Sequence, residues 1–582
     1  MEIPKPEHPR PDFERGEWLN LNGKWQFEID DSDNRMEEGL KTCEQFSRHI
    51  TVPFPPESKL SGIRQTGFMN SIWYRREFRV PREWVGGRVL LRFGAVDYEA
   101  KVWVNGREVG QHRGGYTPFA FDVTEYITFD ASNEVVVNAL DDNRTQLQAS
   151  GKQSSRLESF ECFYTRVTGI WQTVWLELVP KTYIGSFKLI PIEDGSKIYV
   201  EVKVGGDREI TNLRVTASLE GRAVVSSHRE LPPHPATLCI NAIDLRKWSP
   251  EDPILYDLTL EVSDMGERTD IVHSYFGIRR IGIKGNSIVL NDRKRFLRFV
   301  LDQGYYPDGI YTAPSDDALR RDIELSLEMG FDGARLHQKV FEPRFLYWAD
   351  RLGYLVTGEY GDWGADLSNP VAREALLDEW VEVIERDLNH PSIIIWTPFN
   401  ERVFRRNDRP IADFLRRMYK ITKALDPTRP VIDTSGYVHV DTDIYDVHDY
   451  EQDPMTFESH YAKFGQTGSG QDLWINSREE STEYDGQPVM ISEYGGTWWN
   501  PGQPSESKAW GYGEKPTTTE EFLTRYRSLT GSLLFNPHIS AFCYTQLYDV
   551  EQEVNGLLSY NRQPKFDLRE VKKINQEVAA IE

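Results

Sequence analysis

The sequence predicts a three-part molecule: an N-terminal β jelly roll over residues 1–181, an immunoglobulin-like β-sandwich over 182–278, and a C-terminal (β/α)8 barrel over 279–582. Three observations carry that prediction. Up to residue 181 apolar and polar residues alternate in short runs such as "YRREFRV" and "EAKVWVNGREVG", the period of a strand with one buried face. The alternation continues through "SKIYVEVKV", "NLRVTASLE" and "YDLTLEVSD", at spacings that suit a small sandwich. After residue 280 continuous apolar runs alternate instead with helical ones, as in a barrel whose parallel strands are buried on both faces.

Within the first part, Asn105-Gly106 sits between two strand-like halves, the two-residue hairpin signal with positive φ at both turn positions. In the second part the Pro-rich stretches "LPPHPATL" and "SPEDPILY" read as connecting loops, and no cluster of chemistry-bearing residues appears, so this part reads as a brace. In the third part "RFLRFVLDQG" precedes a helix in which Leu319, Ile323 and Leu327 recur every four residues and Gly330 marks the stop. The strand candidates that follow are "GARLHQ", "YLVTGEY", "SIIIWTPFNE", "PVIDTSG", "IYDVHDYEQ", "PVMISEYGG" and "ISAFCYTQLYD". Counted with the first, they make eight βα units.

Composition narrows the partners. The 582 residues carry 68 Lys and Arg against 91 Asp and Glu, a formal charge of −23, which repels nucleic acid and anionic membranes at long range. The four cysteines, Cys43, Cys162, Cys239 and Cys543, have neither CxxC nor metal spacing and read as isolated core thiols. The N-terminal stretch shows no signal-peptide core, and no apolar run reaches about 18 residues, so the expectation is a cytoplasmic protein without membrane contact. The sequence holds 16 Trp and 27 Tyr; most suit sandwich cores, and a minority suit stacking platforms for sugar faces. No HExxH, phosphate loop or dinucleotide fingerprint calls for a metal or cofactor.

The chemistry gathers where barrel strands end. "NHPSIIIWTPFNE" is a buried run that finishes on Asn400 and Glu401, and "PVMISEYGG" places Glu493 at the corresponding point of the seventh strand. Two carboxylates facing one another across a barrel mouth are what glycosidic bond cleavage requires. Salt bridges to nearby basic residues such as Arg402 are the competing account of either glutamate alone.

These two stretches resemble the acid/base and nucleophile signatures of glycoside hydrolase family 2, the family of β-galactosidases, β-glucuronidases and β-mannosidases. "LNLNGKWQF", "VWVNGREVGQHRGGYTPFAFDVTEYI" and "RVTGIWQTVWLELV" are similar to that family's N-terminal sugar-binding domain, and "FGIRRI" to its junction into the barrel. The resemblance implies that Glu401 is the general acid/base, that Glu493 is the nucleophile of a retaining double displacement, and that Asn400 holds the sugar 2-hydroxyl. It further implies that Arg335 keeps the nucleophile ionised and that Tyr450 donates to it, core packing being the other reading of Tyr450. An oligosaccharide or glycoconjugate substrate, exo action and a homo-oligomer follow from the same resemblance.

Departures from the family pattern bear on the sugar. Leu336-His337-Gln338-Lys339 follows Arg335 where the family usually has Ser-His and then Pro, and because the missing histidine borders the sugar pocket this departure leaves the specificity open; His337 stands among the candidate substrate-binding residues. Asp302 ends the first strand and either accepts from a sugar hydroxyl or caps the next turn. Glu553-Val554-Asn555-Gly556 replaces the Asn-x-Lys motif of the glucuronidases, and an acidic side chain there opposes a uronate. Gln546 stands where many retaining barrels have a stacking tryptophan, giving a polar floor that also suits a furanose. Trp363, Trp396, Trp498 and Trp499 lie near strand ends, the Trp498-Trp499 pair being the better candidate for substrate contact. His337 and His448 raise the thought of a metal, but single scattered histidines are more often hydrogen-bonded structural residues. The expected function is therefore a β-galactosidase-like exo-glycosidase. A β-galactofuranosidase or α-L-arabinofuranosidase is the alternative on the same scaffold, and a non-catalytic sugar-binding protein the alternative of another class.

Overall fold

Asn105 and Gly106, at φ 50° and 75°, join strands Glu99–Val104 and Arg107–Arg113 in an antiparallel hairpin. Successive positive φ values match the twist of the flanking strands, and Asn105 Nδ2 pins the turn by donating to Tyr126 O at 2.8 Å and Asn133 Oδ1 at 2.9 Å. The hairpin edges a six-stranded sheet whose order continues through Ser132–Leu140, Ser71–Arg79, Gly23–Ile29 and Arg48–Val52. Phe27, Ile72, Tyr74, Val102 and Val137 of this sheet pack on Leu91, Phe93 and Leu176 of a four-stranded sheet. Each such side chain, fully buried, contributes roughly 1.5–3 kcal/mol. The structure, a computed structural model, describes residues 3–30, 46–192, 196–206, 212–230, 236–264, 267–405, 407–501 and 508–582.

The second sandwich pairs a three-stranded sheet with a four-stranded one between Thr182 and Phe276, around Ile184, Val200, Val202, Val215, Leu258, Leu260 and Val272. Arg15 ties the two sandwiches together, donating to Asp270 at 2.8 and 3.0 Å and to Glu177 at 2.9 Å, with all three side chains buried. The thiol expectation holds unevenly. Cys543 is buried, Cys162 half-buried and Cys239 exposed, because Cys239 points outward from an alternating strand; Cys43 lies outside the described residues.

In the barrel, helix Asp316–Glu328 buries Leu319 and Ile323, packs Leu327 at the edge of the core, and starts at Ser315, whose hydroxyl accepts from Ala318 N at 3.2 Å. Seven parallel strands run in the spatial order Ile393–Thr397, Leu355–Glu359, Gly333–Leu336, Leu297–Asp302, Ile539–Thr545, Val489–Gly495, Tyr445–Asp449. Fully buried runs such as "IIIWT" are the direct consequence of helices outside and side-chain layers inside.

One of the eight expected units differs. The segment at 430–436 pairs with the fourth strand only through the isolated parallel bridges Trp396–Val431 and Asn400–Ser435. Among the described residues no helix separates it from Tyr445–Asp449. Its reason is chemical: the stretch is rich in polar residues whose side chains capture backbone groups, Asp433 accepting from Val440 N at 2.6 Å and Asp446 from Gly436 N at 3.1 Å. The Asp446 contact joins this segment to the sixth strand where regular pairing stops. Among the described residues no helix is long and apolar enough to cross a membrane.

Candidate active site

Beyond Thr397 the chain turns out of the barrel wall and holds Glu401 at φ 49°, a left-handed conformation that a side chain with a Cβ adopts only at a cost. Flanking hydrogen bonds enforce it. Glu401 N donates to Ser435 O at 2.8 Å, and Asn400 N donates to Asp362 Oδ1 at 3.0 Å. Arg402, the competing partner for Glu401, binds Asp362 instead, Nε to Oδ2 at 2.6 Å. Glu493 lies inside the seventh strand and is buried, whereas the Glu401 side chain keeps 22% of its surface exposed.

His448, from the sixth strand, stands between the two carboxylates. Its Nδ1 is 2.7 Å from Glu401 Oε1 and 3.5 Å from Glu493 Oε2. One oxygen of each carboxylate and one ring nitrogen of His448 lie within 4.8 Å of one another, so the two carboxylates face the same point of the barrel mouth. The same three atoms have the geometry to hold a cation. The His448–Glu401 hydrogen bond and the Arg335–Glu493 ion pair satisfy them without one.

Arg335 ends the second strand and organises the floor. It donates through Nη1 to Glu493 Oε1 at 2.8 Å, through Nε to Glu359 Oε2 at 2.6 Å, and through Nη2 to Asn400 Oδ1. Because the Asn400 oxygen is taken, its Nδ2 is left as a buried donor without a partner among the described residues. Tyr450 Oη donates to Glu493 Oε2, and its ring stacks on Tyr512 at 3.7 Å, so Tyr450 is a carboxylate partner as well as a packed side chain. Burial would raise the Glu493 carboxyl, but His448 and Arg335 outweigh it and hold Glu493 well below the usual carboxylate range. Burial would lower His448, and Glu493 and Glu401 together push it above its ordinary value.

The remaining predicted residues divide. Asp302 is buried and accepts from Gly304 N at 2.9 Å and from Tyr548 Oη, the contacts of a turn cap. His337, 1% exposed, sets Nδ1 2.9 Å from Glu359 Oε1, and burial first, then the cations Lys152 and Arg335, drive it well below its ordinary value. Gln546 is buried and donates to Asn555 Oδ1 at 2.8 Å. Trp499 is a core residue, stacked on Phe522 at 5.4 Å, and Trp396 is buried with its Nε1 on Asp426 at 2.8 Å. Trp498 stays half-buried, 5.9 Å from the Lys515 ammonium. Trp363 is the tryptophan tied to the turn at Asn400 and Glu401, its Nε1 donating to Asn400 O at 3.0 Å.

Two residues of the network escaped the sequence reading. Glu359 closes the third strand as Glu401 and Glu493 close theirs, and the "YLVTGEY" pattern carried that signal. His448 was visible only as one histidine among several, and its position between two strands distant in sequence gave it meaning.

Comparison with known proteins identifies the family. The family model described as "Glycosyl hydrolases family 2, TIM barrel domain" matches residues 283–580, its sugar binding domain matches 19–180, and a third model of the same family matches 182–279. The chain is 26% identical over 439 residues to a β-galactosidase of Thermoanaerobacter pseudethanolicus, covering 71% of this chain and about half, 54%, of that relative's length. It is 24% identical over 602 residues to a β-glucuronidase of Paenibacillus borealis, covering 94% of this chain and 95% of the other. A solved β-glucuronidase of Lactobacillus rhamnosus shares the fold at TM-score 0.78 and 21% identity, over 97% of this chain and 98% of that one.

Proposed function

The chain belongs to glycosyl hydrolase family 2, and from that premise we propose that it is an exo-acting, retaining glycosidase that removes a neutral terminal sugar, first of all a β-galactoside. The observation that carries the mechanism is the pair Glu401 and Glu493, bridged by His448 within 4.8 Å. Glu493, kept ionised by Arg335 and Tyr450, attacks the anomeric carbon. Glu401, hydrogen-bonded to His448 across 2.7 Å, gives its proton to the glycosidic oxygen as the bond to carbon breaks, and the aglycone leaves as an alcohol. Glu401 then takes a proton from water; the hydroxide attacks the same carbon, the ester to Glu493 breaks, and the sugar is released with its original anomeric configuration. Asn400 Nδ2, without a partner in the described structure, is placed to donate to the sugar 2-hydroxyl as the transition state forms.

The neutral-sugar reading is supported by Glu553, whose carboxylate occupies the Asn-x-Lys position and is held there by Tyr164 Oη at 2.6 Å and Asn555 Nδ2 at 2.9 Å. A uronide is the second reading, favoured by the glucuronidase names among the relatives. Furanosides belong on the same panel because Gln546 occupies the end of the eighth strand. The test is initial rates on aryl β-galactopyranoside, β-galactofuranoside, α-L-arabinofuranoside, β-mannoside and β-glucuronide, with proton NMR of the first-formed sugar. A retained anomer from a neutral glycoside is expected. An inverted anomer would overturn the mechanism, and turnover of the glucuronide alone would overturn the sugar.

A further inference from the structure

The jelly roll sends one loop into the barrel mouth. Ser150 N donates to Trp363 O at 2.8 Å and Gly151 N to Gly361 O at 3.0 Å, so the loop is bonded through its backbone to the segment that follows the third barrel strand. Glycines permit the approach. A Cβ on Gly151, which sits at φ 54°, would stand 2.0 Å from Gln338 O, and one on Gly364 would stand 2.1 Å from Ser150 Oγ. Contact this close fixes the position of the next residue, Lys152.

Lys152 is 6% exposed, and its ammonium lies 4.1 Å from the centre of the Trp363 ring, whose indole nitrogen is bonded to Asn400 O. The carboxylates that act on it are Glu553, Glu493 and Glu401, beside the Cys162 thiol. Burial would push the ammonium towards neutrality, and these neighbours outweigh it and hold Lys152 above its ordinary range. Yet among the described residues no carboxylate comes within 4.0 Å of the ammonium. Buried ammonium groups ordinarily fill their three donors with oxygen acceptors. Here the side chain that hydrogen-bonds the group is the Cys162 thiol, not an oxygen, and the carboxylates of the barrel mouth act on it from beyond ion-pair distance.

We propose that Lys152, carried into the barrel mouth by the jelly roll, is a specificity-determining residue of the active site, its ammonium donating a hydrogen bond to a hydroxyl of the neutral terminal sugar bound over Glu493. This rests on the neutral-sugar reading above and adds to it a residue from another domain. Glu553, the first of the carboxylates acting on that ammonium, accepts from the sugar where Lys152 donates, a pairing that suits adjacent hydroxyls.

The experiment compares kcat/KM of the full-length protein, Lys152→Met and Lys152→Gln on an aryl β-galactoside and its 3-, 4- and 6-deoxy analogues, with Tm recorded for each variant. The wild type should lose roughly 10- to 100-fold on the analogue that lacks the contacted hydroxyl. Lys152→Met should show that loss already on the parent sugar and distinguish the two substrates by no more than about threefold, with Lys152→Gln in between. If Lys152→Met is slower on every analogue by the same factor and keeps the wild-type discrimination, Lys152 is merely structural and the proposal falls. If the wild type turns over aryl glucuronides and no neutral glycoside, the neutral-sugar reading fails in an arm where Lys152 is untouched, and the hydroxyl assignment fails with it.

Discussion

The jelly roll meets the barrel where its strands end, through Ser150, Gly151 and Tyr164, whereas the immunoglobulin-like sandwich meets it where they begin. There Trp248 Nε1 donates to Asp350 O at 2.7 Å and Tyr275 Oη to Asp350 Oδ2 at 2.8 Å. Both contacts are buried and hydrogen-bonded, and as packing they are alike. What separates them is which end of a parallel barrel they touch, because catalysis in this architecture sits at the strand C-termini and the opposite face carries stability. The jelly roll thus borders the end that carries the chemistry in this architecture, and the second sandwich the end that carries stability.

Substitutions can break that contrast. The largest effect is expected for Glu493→Ala, which removes the attacking carboxylate: kcat/KM should fall on the order of 10⁴-fold or more, measured on the best aryl glycoside, and near-normal turnover would end the assignment. Glu401→Gln should cost roughly 10²–10⁴-fold on substrates with basic leaving groups. With a dinitrophenyl leaving group the first step needs no proton, so the loss on that step should be far smaller in a single-turnover measurement.

Stability at the mouth should have its own pH signature. His439 is buried between Asp433, 2.8 Å from Nδ1, and Asp446. Burial would lower it, but these carboxylates raise it from 6.5 to about 10. Since the folded value lies above the unfolded one, the stabilisation is complete below about pH 6.5 and fades as pH rises towards 10. The gap in thermal midpoint between wild type and His439→Gln should therefore be widest near pH 6 and narrow with alkalinity. A gap that widens instead would contradict the charged pair. The smallest functional effect is expected at the other end of the barrel. Tyr275→Phe removes a donor to Asp350 and should lower stability by about 1.5–3 kcal/mol in urea unfolding, while kcat/KM stays within about twofold.

Much of this was legible in the chain. Apolar runs buried on both faces mark a parallel barrel, and carboxylates at the ends of "SIIIWTPFNE" and "PVMISEYGG" are hard to explain except by chemistry. The Asn105-Gly106 turn was equally plain, since only residues tolerant of positive φ fit there. Tryptophans were less legible. Trp499 follows the seventh strand as a pocket residue would, yet it stacks on Phe522, because an indole satisfies a helix–strand core as well as a sugar face. Asp302 likewise ends a strand and faces its own turn.

By itself the sequence determined the local periods, the turns, the three-part order and the two glutamates, all properties of residues near one another in the chain. Only the tertiary structure decided which side chains act together. Arg335, Glu359, Asn400, His448 and Glu493 come from five different segments of the barrel, and Lys152 from another domain. Their charges interact because burial in one mouth brings them within a few ångströms in a medium that screens poorly, and no pattern along the chain records such a distance.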